Sequence, residues 1–323
     1  MPYAIRVHET GGPEVLKWEE VEVGDPGPGE VRLRQEAVGL NYIDVYHRTG
    51  LYPQPLPFAP GVEGAGIVEA VGADVSGIQL GDRVAYSGPI GGYAEERLIP
   101  ADKLVKLPGS ISTEQAGAML LQGMTAHMLL RSVHRVQPGE TILIHAAAGG
   151  VGLIVCQWAK ALGATVIGTV GSEDKAELAR AHGCDYPILY TSQDFAVEVN
   201  RITNGAKLPV VYDSIGKDTF EKSLDCLAPK GLMVTFGNAS GAVPPVEPGL
   251  LAQKGSLFVT RPTLNTYAAK RENLVAMANE LFDVVKSGAV KIEVHQTYPL
   301  KDAAKAHADL AARKTTGSTV LTV

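Results

Sequence analysis

At 323 residues the chain is too long for one ordinary hydrophobic core, and two domains are expected. Its composition, 45% hydrophobic and 20% charged, is that of a globular protein folded in water. With 29 basic against 35 acidic residues the net charge is −6, which argues against a general nucleic-acid or anionic-membrane surface. Three scattered cysteines, Cys156, Cys184 and Cys226, make no disulfide framework and suit a reducing compartment. The opening MPYAIRVHETGGPE has neither a basic segment nor an apolar core of the kind a signal peptide carries. The apolar runs stop well short of the roughly 20 residues of a membrane span. A cytoplasmic protein is the expectation.

From Met1 to about Leu107 the pattern is short and β-like. Val31, Leu33, Ala37 and Val38 suggest half-buried strands, as do Gly66 to Val71 and Arg83 to Tyr86. Turns are marked by Gly11-Gly12-Pro13, by Asp25-Pro26-Gly27-Pro28-Gly29 and by Pro108-Gly109, so a small barrel or sandwich is predicted. The character changes near Ser112, where Ser112 and Gln115 can form a capping box and Gly123-Met124-Thr125 leads to a second helical stretch.

Strands then alternate with helices. The apolar run Thr141 to Ala147 meets Gly149-Gly150-Val151-Gly152, a helix follows to Leu162, and Ala164 to Val170 reads as the next strand. A helix over Asp174 to His182 and a strand over Tyr186 to Tyr190 come next. They are followed by a helix over Ala196 to Ile202 and strands over Pro209 to Asp213, Gly231 to Phe236 and Ser256 to Thr260. Six strands with intervening helices predict one doubly wound parallel α/β sheet. After Arg261-Pro262 an amphipathic helix spans Glu272 to Ser287. Lys291 to Val294, Lys301 to Arg313 and Ser318 to Val323 then read as strand, helix and strand returning to the first domain. The expected domains are 1–124 with 265–323, and 125–264.

The stretch Glu140 to Asp174 organises the rest. Ala147, Gly149 and Gly152 form an A-x-G-x-x-G turn between a strand and a helix, the arrangement that binds dinucleotides. Small residues let the turn approach a pyrophosphate, and the positive end of the helix faces it. An NAD binder places a carboxylate at the end of the second strand, where this chain has Val170-Gly171-Ser172. A small residue, a hydroxyl and Lys175 one turn on suit a 2′-phosphate, so NADPH is the expected cofactor.

Two further segments, Leu40 to Pro53 (LNYIDVYHRTGLYP) and Pro60 to Gly66 (PGVEGAG), complete a set of spaced motifs with the glycine turn, Phe236-Gly237-Asn238 and Thr316-Gly317-Ser318. In that order they resemble the medium-chain dehydrogenase/reductase superfamily. The resemblance is strongest to its zinc-free quinone oxidoreductase branch, to which ζ-crystallin belongs, and it covers essentially the whole chain. It implies a GroES-like catalytic domain beside a Rossmann domain. Zinc alcohol dehydrogenases of that superfamily place a Cys at or beside the position of Asn41 and a Gly-His-Glu where this chain has Gly61-Val62-Glu63. No Cys precedes Cys156, so the donors zinc needs are missing from those positions, and no metal is expected.

The resemblance also implies roles. Asn41, Asp44 and Thr125 would surround the nicotinamide and its ribose, and Tyr46, Arg48 and Tyr52 would line the acceptor cleft, with Arg48 steadying charge on a reduced oxygen. Ala148, Gly149, Gly150 and Val151 would hold the pyrophosphate. Gly171, Ser172, Lys175, Tyr190 and Arg313 would hold the adenosine phosphate, and Ser214, Phe236, Gly237 and Asn238 would reach the nicotinamide side. Blander roles stand beside these: Tyr46 and Tyr52 as packing aromatics, Asp44 as a helix cap, Arg313 as a helix C-terminal cation, and Glu63 as a brace for Arg48. Without a Lewis acid, the acceptor must take hydride unaided, which favours a quinone substrate, then enones, enals or enoyl thioesters. A non-catalytic NADPH-binding protein, or an RNA-binding one as among crystallin relatives, is the alternative of another class. The apolar run Ser256 to Thr260 is a candidate edge strand for a homodimer.

Overall fold

A computed structural model describes all residues from Met1 to Val323, and the chain divides into two compact units. Unit 1 comprises Met1–Met124, Ala268–Lys286 and Ile292–Val323; unit 2 comprises Thr125–Tyr267 and Ser287–Lys291. The short segment Ser287–Lys291 joins unit 2 because the Gln157 side chain clamps Lys291. Its amide donates to the Lys291 carbonyl at 3.1 Å and its carbonyl accepts from the Lys291 N–H at 2.8 Å.

Unit 1 is built on a mostly antiparallel sheet in the order Val294–Pro299, Ser318–Thr322, Glu30–Leu40, Glu63–Val71, Arg83–Ser87 and Val105–Lys106. Glu96–Pro100 also pairs with Glu30–Leu40. A separate hairpin pairs Tyr3–Val7 with Leu16–Glu20. Along Glu30–Leu40 the residues alternate half-buried and buried up to Ala37, and then Val38, Gly39 and Leu40 are all buried. The start of the strand packs into a cluster of Val31, Leu33, Val68, Val84 and Ile99, and its end lies between two others, Ile5, Val7, Val38, Leu40, Phe58 and Leu321 on one side and Ala37, Ala118 and Val320 on the other. The register pairs Val38 with Gly64 and Leu321, which brings the chain's C-terminus onto the strand that leads into Asn41.

Unit 2 carries a six-stranded, wholly parallel sheet. Its order is Tyr186–Leu189, Thr165–Val170, Thr141–Ile144, Leu208–Asp213, Leu227–Thr235, Phe258–Thr260. Strand order reverses beside Thr141–Ile144, so the crevice at its carboxyl end is the place where such sheets bind ligands. The central strands Thr141–Ile144, Thr165–Val170 and Leu208–Asp213 are largely apolar and buried, as cover on both faces requires, whereas the edge strands Tyr186–Leu189 and Phe258–Thr260 are partly exposed. Leu143, Ile167, Val211 and Met233 meet Phe195, Val199, Phe220 and Leu224 from the covering helices.

Several boundaries differ from the sequence reading, two of them with a clear physical cause. The strand expected to Ala147 stops at Ile144, because Ala146 adopts a left-handed conformation with φ +55° that no ladder can continue. The strand expected over Lys291 to Val294 is Val294–Pro299, where parallel pairing with Ser318–Thr322 provides partners. The sequence pattern places no helix at Tyr42–Thr49, Phe220–Asp225, Pro248–Gln253 or Leu264–Tyr267. Pro248–Gln253 has no buried residue to give it a periodic signal, and Tyr42–Thr49 lies inside the segment singled out for its chemistry. No helix is long and apolar enough to cross a membrane.

Candidate functional site

Each residue expected to touch the cofactor in unit 2, Thr125 apart, lies in a loop, or in the first turn of the helix after it, at the carboxyl end of the parallel sheet. Ala148–Val151 follow the strand Thr141–Ile144, and Gly171, Ser172 and Lys175 follow Thr165–Val170. Tyr190 follows Tyr186–Leu189, Ser214 follows Leu208–Asp213, and Phe236–Asn238 follow Leu227–Thr235. Five separate connections thus converge on one edge, as the topology of a doubly wound sheet dictates. Thr125 is half-buried in the helix Leu120–His127.

The glycine turn has a shape only small residues permit. The N–H of Ala147 donates to the Thr169 carbonyl at 3.0 Å, and that of Gly149 donates to the Ala146 carbonyl at 2.9 Å. Gly149 is then the N-cap of the helix Gly150–Ala161 and offers no capping side chain. No N-cap side chain takes up the first-turn N–H groups, which with the positive end of the helix are suited to an anion. A Cβ on Gly152 would lie 2.8 Å from the Ala147 Cα and closer still to the Ala146 carbonyl oxygen. The close helix-strand approach behind the turn depends on that missing atom.

At the next strand end, Ser172 caps the helix Glu173–Ala181 by accepting from the Lys175 N–H at 3.4 Å. Glu173 pairs with Arg180 at 2.9 Å and is turned along its own helix. The Tyr190 ring lies over Gly171, whose added Cβ would fall 2.6 Å from the phenol oxygen. Gly171, Ser172, Lys175 and Tyr190 therefore form one patch without a carboxylate at the strand's end. Asp213, fully buried, organises the neighbouring loop by accepting from Ile215 N at 2.7 Å, Gly216 N at 3.1 Å and Thr219 Oγ1 at 2.8 Å. Gly237 then packs directly on the Ser214 backbone, seating Phe236–Asn238 beside it.

In unit 1 the helix Tyr42–Thr49 carries the other expected residues. Tyr46 packs edge-on against Tyr52 with ring centroids 5.2 Å apart, and Tyr42 lies 6.0 Å from Tyr46. Tyr46 is buried, while Tyr52 and Tyr42 are half-buried and Leu51 is exposed, so the aromatic cluster reaches the surface of the unit.

Asp44 takes the helix-cap role, and Arg48 turns into unit 1. Asp44 is 0% exposed and Arg48 4%. The Arg48 guanidinium donates to the Gly11 carbonyl at 3.2 Å and to His307 Nδ1 at 3.2 Å, so it points into unit 1 and is not offered to an acceptor. Asp44 Oδ2 accepts the Asn41 backbone N–H at 2.9 Å and the Tyr93 hydroxyl at 3.1 Å, which closes one half of a capping box. Glu63 does not brace Arg48 either. Its Oε2 accepts from Asn41 Nδ2 at 2.6 Å and its Oε1 from the Leu121 N–H at 2.8 Å, at the start of the helix Leu120–His127. Gly39 leaves the room for it, since a Cβ there would run into the Glu63 carboxylate.

Burial sets the charges in this cluster. It raises Asp44 from 3.8 to about 7 and Glu63 from 4.5 to about 8, because an ionised carboxylate is poorly solvated there. His307 is pushed down to about 3 by burial and by the Arg48 charge, and so stays neutral. Burial lowers Arg48 as well and raises Tyr93 well above the usual phenol range. Gln122 completes the cluster by donating to Asn41 Oδ1 at 3.1 Å and accepting from Ser318 Oγ at 2.8 Å. The sequence points to Glu63 and Asn41 without pairing them and to Ser318 only within the motif Thr316-Gly317-Ser318; nothing in it singles out Tyr93, Gln122 or His307. The only local hint is a lone histidine in the alanine-rich run Ala303–Ala311.

Arg313 lies in unit 1, exposed, with φ +58° just past the helix Ala303–Ala311. That is the geometry of a helix C-terminal residue. No group of three or more His, Cys, Asp or Glu side chains is placed to hold a metal ion.

Comparison with known proteins adds two family matches. Residues 27–109 match the alcohol dehydrogenase GroES-like domain, and residues 150–278 match the model described as zinc-binding dehydrogenase. A quinone oxidoreductase of Pseudomonas aeruginosa is 57% identical over 99% of both chains. A 2-haloacrylate reductase of a Burkholderia species is 48% identical, again over 99% of each. The crystal structure of Escherichia coli quinone oxidoreductase complexed with NADPH superposes with a TM-score of 0.98 at 50% identity, covering 99% of this chain and 100% of the other.

Proposed function

Because the chain belongs to the quinone oxidoreductase family of the medium-chain dehydrogenase/reductase superfamily, we propose that it is an NADPH-dependent quinone reductase that works without a metal ion. The observation that carries this reading is the carboxyl edge of the parallel sheet. An uncapped helix start behind Gly149 suits a pyrophosphate, and the patch of Gly171, Ser172, Lys175 and Tyr190 suits a 2′-phosphate. Family members with close sequences carry the quinone oxidoreductase name, and one was solved with NADPH.

When bound, NADPH supplies a hydride equivalent, and with one proton from solvent a quinone becomes a quinol. In this reading the backbone of Ala148–Val151 holds the pyrophosphate, and Ser172, Lys175 and Tyr190, with Arg313 as a further cation, hold the adenosine phosphate. Ser214 and Phe236–Asn238 place the nicotinamide half, towards which Asn41 and Thr125 also contribute. Tyr46 and Tyr52 give the planar acceptor an aromatic wall, worth binding energy through ring-on-ring contact. Arg48 and Asp44 act from within unit 1. At or beside Asn41, and at Val62, zinc-dependent relatives carry ligands, and neither Asn41 nor Val62 is a usual zinc donor.

A second reading, reduction of an activated C=C bond, is favoured by the 48% identity to the 2-haloacrylate reductase. Both need a positioned hydride and an electron-poor acceptor. A panel of 1,4-benzoquinone, a naphthoquinone, an enone, 2-chloroacrylate and an enoyl thioester, each with NADPH, separates them. The expected result is turnover highest with the quinones and unaffected by a chelator. Turnover with 2-chloroacrylate or the enone alone moves the function to the second reading. We also read the protein as a cytoplasmic homodimer. The edge strand Phe258–Thr260 leaves Phe258 61% and Val259 36% exposed, an open strand that a second copy can cover. A monomer in sedimentation at micromolar concentration would count against the dimer.

A further inference from the structure

The buried cluster of unit 1 is a chain of hydrogen bonds with a direction. A guanidinium has only donors, so where Arg48 Nη1 meets His307 Nδ1 at 3.2 Å the imidazole nitrogen must accept. His307 is neutral, and its hydrogen therefore sits on Nε2, 3.0 Å from the Tyr93 hydroxyl. The Tyr93 oxygen accepts that hydrogen and sends its own to Asp44 Oδ2 at 3.1 Å. Asp44 Oδ2 also receives the Asn41 backbone N–H. A second chain runs from Ser318 through Gln122 to Asn41 Oδ1, and from Asn41 Nδ2 to Glu63. Asn41 is thus held by its main chain from one carboxylate and by its side chain from the other.

We propose that Arg48, His307 and Tyr93 form a one-way hydrogen-bond relay that keeps Asp44 an acceptor and thereby holds Asn41 in a single placement. Tyr93 and His307 are then positioning residues for the reduction. The inference rests on the reading of Asn41 as a contributor to the nicotinamide site. The relay cannot run backwards. A proton on Asp44 Oδ2 pointing at Tyr93 would turn the Tyr93 hydroxyl toward His307 Nε2. The imidazole hydrogen would then have to move to Nδ1, against the Arg48 donor.

The charged and titratable groups facing Asp44 are few. They are Glu63 on the strand Glu63–Val71, Tyr93, and Arg48 across His307, with Glu14 beyond Arg48. Tyr86, under the Arg97 guanidinium at 4.9 Å, lies beyond Glu63. Burial pushes Asp44 up to about 7, so the relay's donor to Oδ2 helps set the pH at which its ionised form, the stronger acceptor, is lost. Sign follows directly: removing a donor from a carboxylate raises its proton affinity, by roughly tenfold or one pH unit for one hydrogen bond.

The test uses the whole protein and two readouts. In infrared difference spectra of the free protein, a buried carboxylic acid is followed from pH 5 to 9. In parallel, kcat and KM for 1,4-benzoquinone with NADPH are followed over the same range. Tyr93→Phe, which removes the donor, is expected to move the carboxylic-acid titration up by about one pH unit and to lower kcat near pH 7 by about fivefold, and His307→Leu, which leaves the Tyr93 hydroxyl but removes what aligns it, to move both in the same direction by less, with KM for the quinone within about twofold in each. His307→Gln should restore the wild-type profile, since its carbonyl can accept from Arg48 while its amide donates to Tyr93. An unmoved titration in Tyr93→Phe, or a moved titration with an unchanged kcat profile, overturns the relay. If Tyr93→Phe does not fold, the His307→Leu and His307→Gln pair decides in the same way. Absence of quinone reduction in the wild type refutes the functional reading instead, because the infrared titration needs no substrate.

Discussion

Gly152→Ala is expected to weaken NADPH binding by about a hundredfold, or about 2.7 kcal/mol. Its new methyl group would sit 2.8 Å from the Ala147 Cα and against the Ala146 carbonyl, both backbone atoms that cannot swing aside. The start of the helix Gly150–Ala161 must then move off the strand Thr141–Ile144, and its N–H groups no longer converge on one pyrophosphate. Gly149→Ala should be milder, since its Cβ would meet the Ala146 oxygen at 3.2 Å. Gly249→Ala, with nothing within 4 Å, is the control. Calorimetric titration with NADPH checks the series; equal affinities in Gly152→Ala and Gly249→Ala would break the link between the turn and the cofactor.

The second large effect concerns pH. Burial raises Asp44 from 3.8 to about 7, so between those values the folded protein holds a proton that the unfolded chain has lost. Stability therefore falls as pH rises through that window and levels off above about pH 7. The upper bound for one group shifted by about three units is about 4 kcal/mol. Glu63, raised from 4.5 to about 8, adds a change of the same sign. Asp44→Asn is neutral at every pH and keeps an acceptor for the Asn41 N–H and the Tyr93 hydroxyl. Urea unfolding should find it near wild type at pH 5 and more stable than wild type by about 1–4 kcal/mol at pH 8. A variant no more stable at pH 8 than wild type would mean that Asp44 is not held protonated in the fold.

The parallel sheet and its glycine turn were legible because their signals are local. A doubly buried strand must be apolar, and a close helix-strand approach must use glycine at Gly152, so the residues between Glu140 and Asp174 announce their geometry. The absent carboxylate after Val170 was legible for the same reason, and the structure adds a constraint. Gly171 lies under the Tyr190 phenol, so a larger residue there would have to displace that ring.

What was not legible is non-local. Tyr93 and His307 are 214 residues apart, and neither stands in a pattern that names the other. Their meeting depends on Ser318–Thr322 returning to pair with Glu30–Leu40, which draws the helix Ala303–Ala311 over the core of unit 1. Arg48 was misread for a related reason. A charged side chain near aromatics suggests a ligand contact, whereas here the Gly11 carbonyl and His307 satisfy it internally. The left-handed Ala146 leaves no trace in composition, and the strand it ends was accordingly read as too long.

The account's central claim is that the carboxyl edge of the parallel sheet selects NADPH and that the bound reductant serves a quinone without help from a metal. The most direct measurement within the acceptor panel is the rate of 1,4-benzoquinone reduction by NADPH and by NADH, at equal concentrations and in the presence of a chelator. The prediction is one quinol formed per NADPH consumed, with kcat/KM for NADPH at least about tenfold above that for NADH, a difference of about 1.4 kcal/mol, and no loss on chelation. Equal use of NADH and NADPH, or activity that disappears with the chelator, would contradict it.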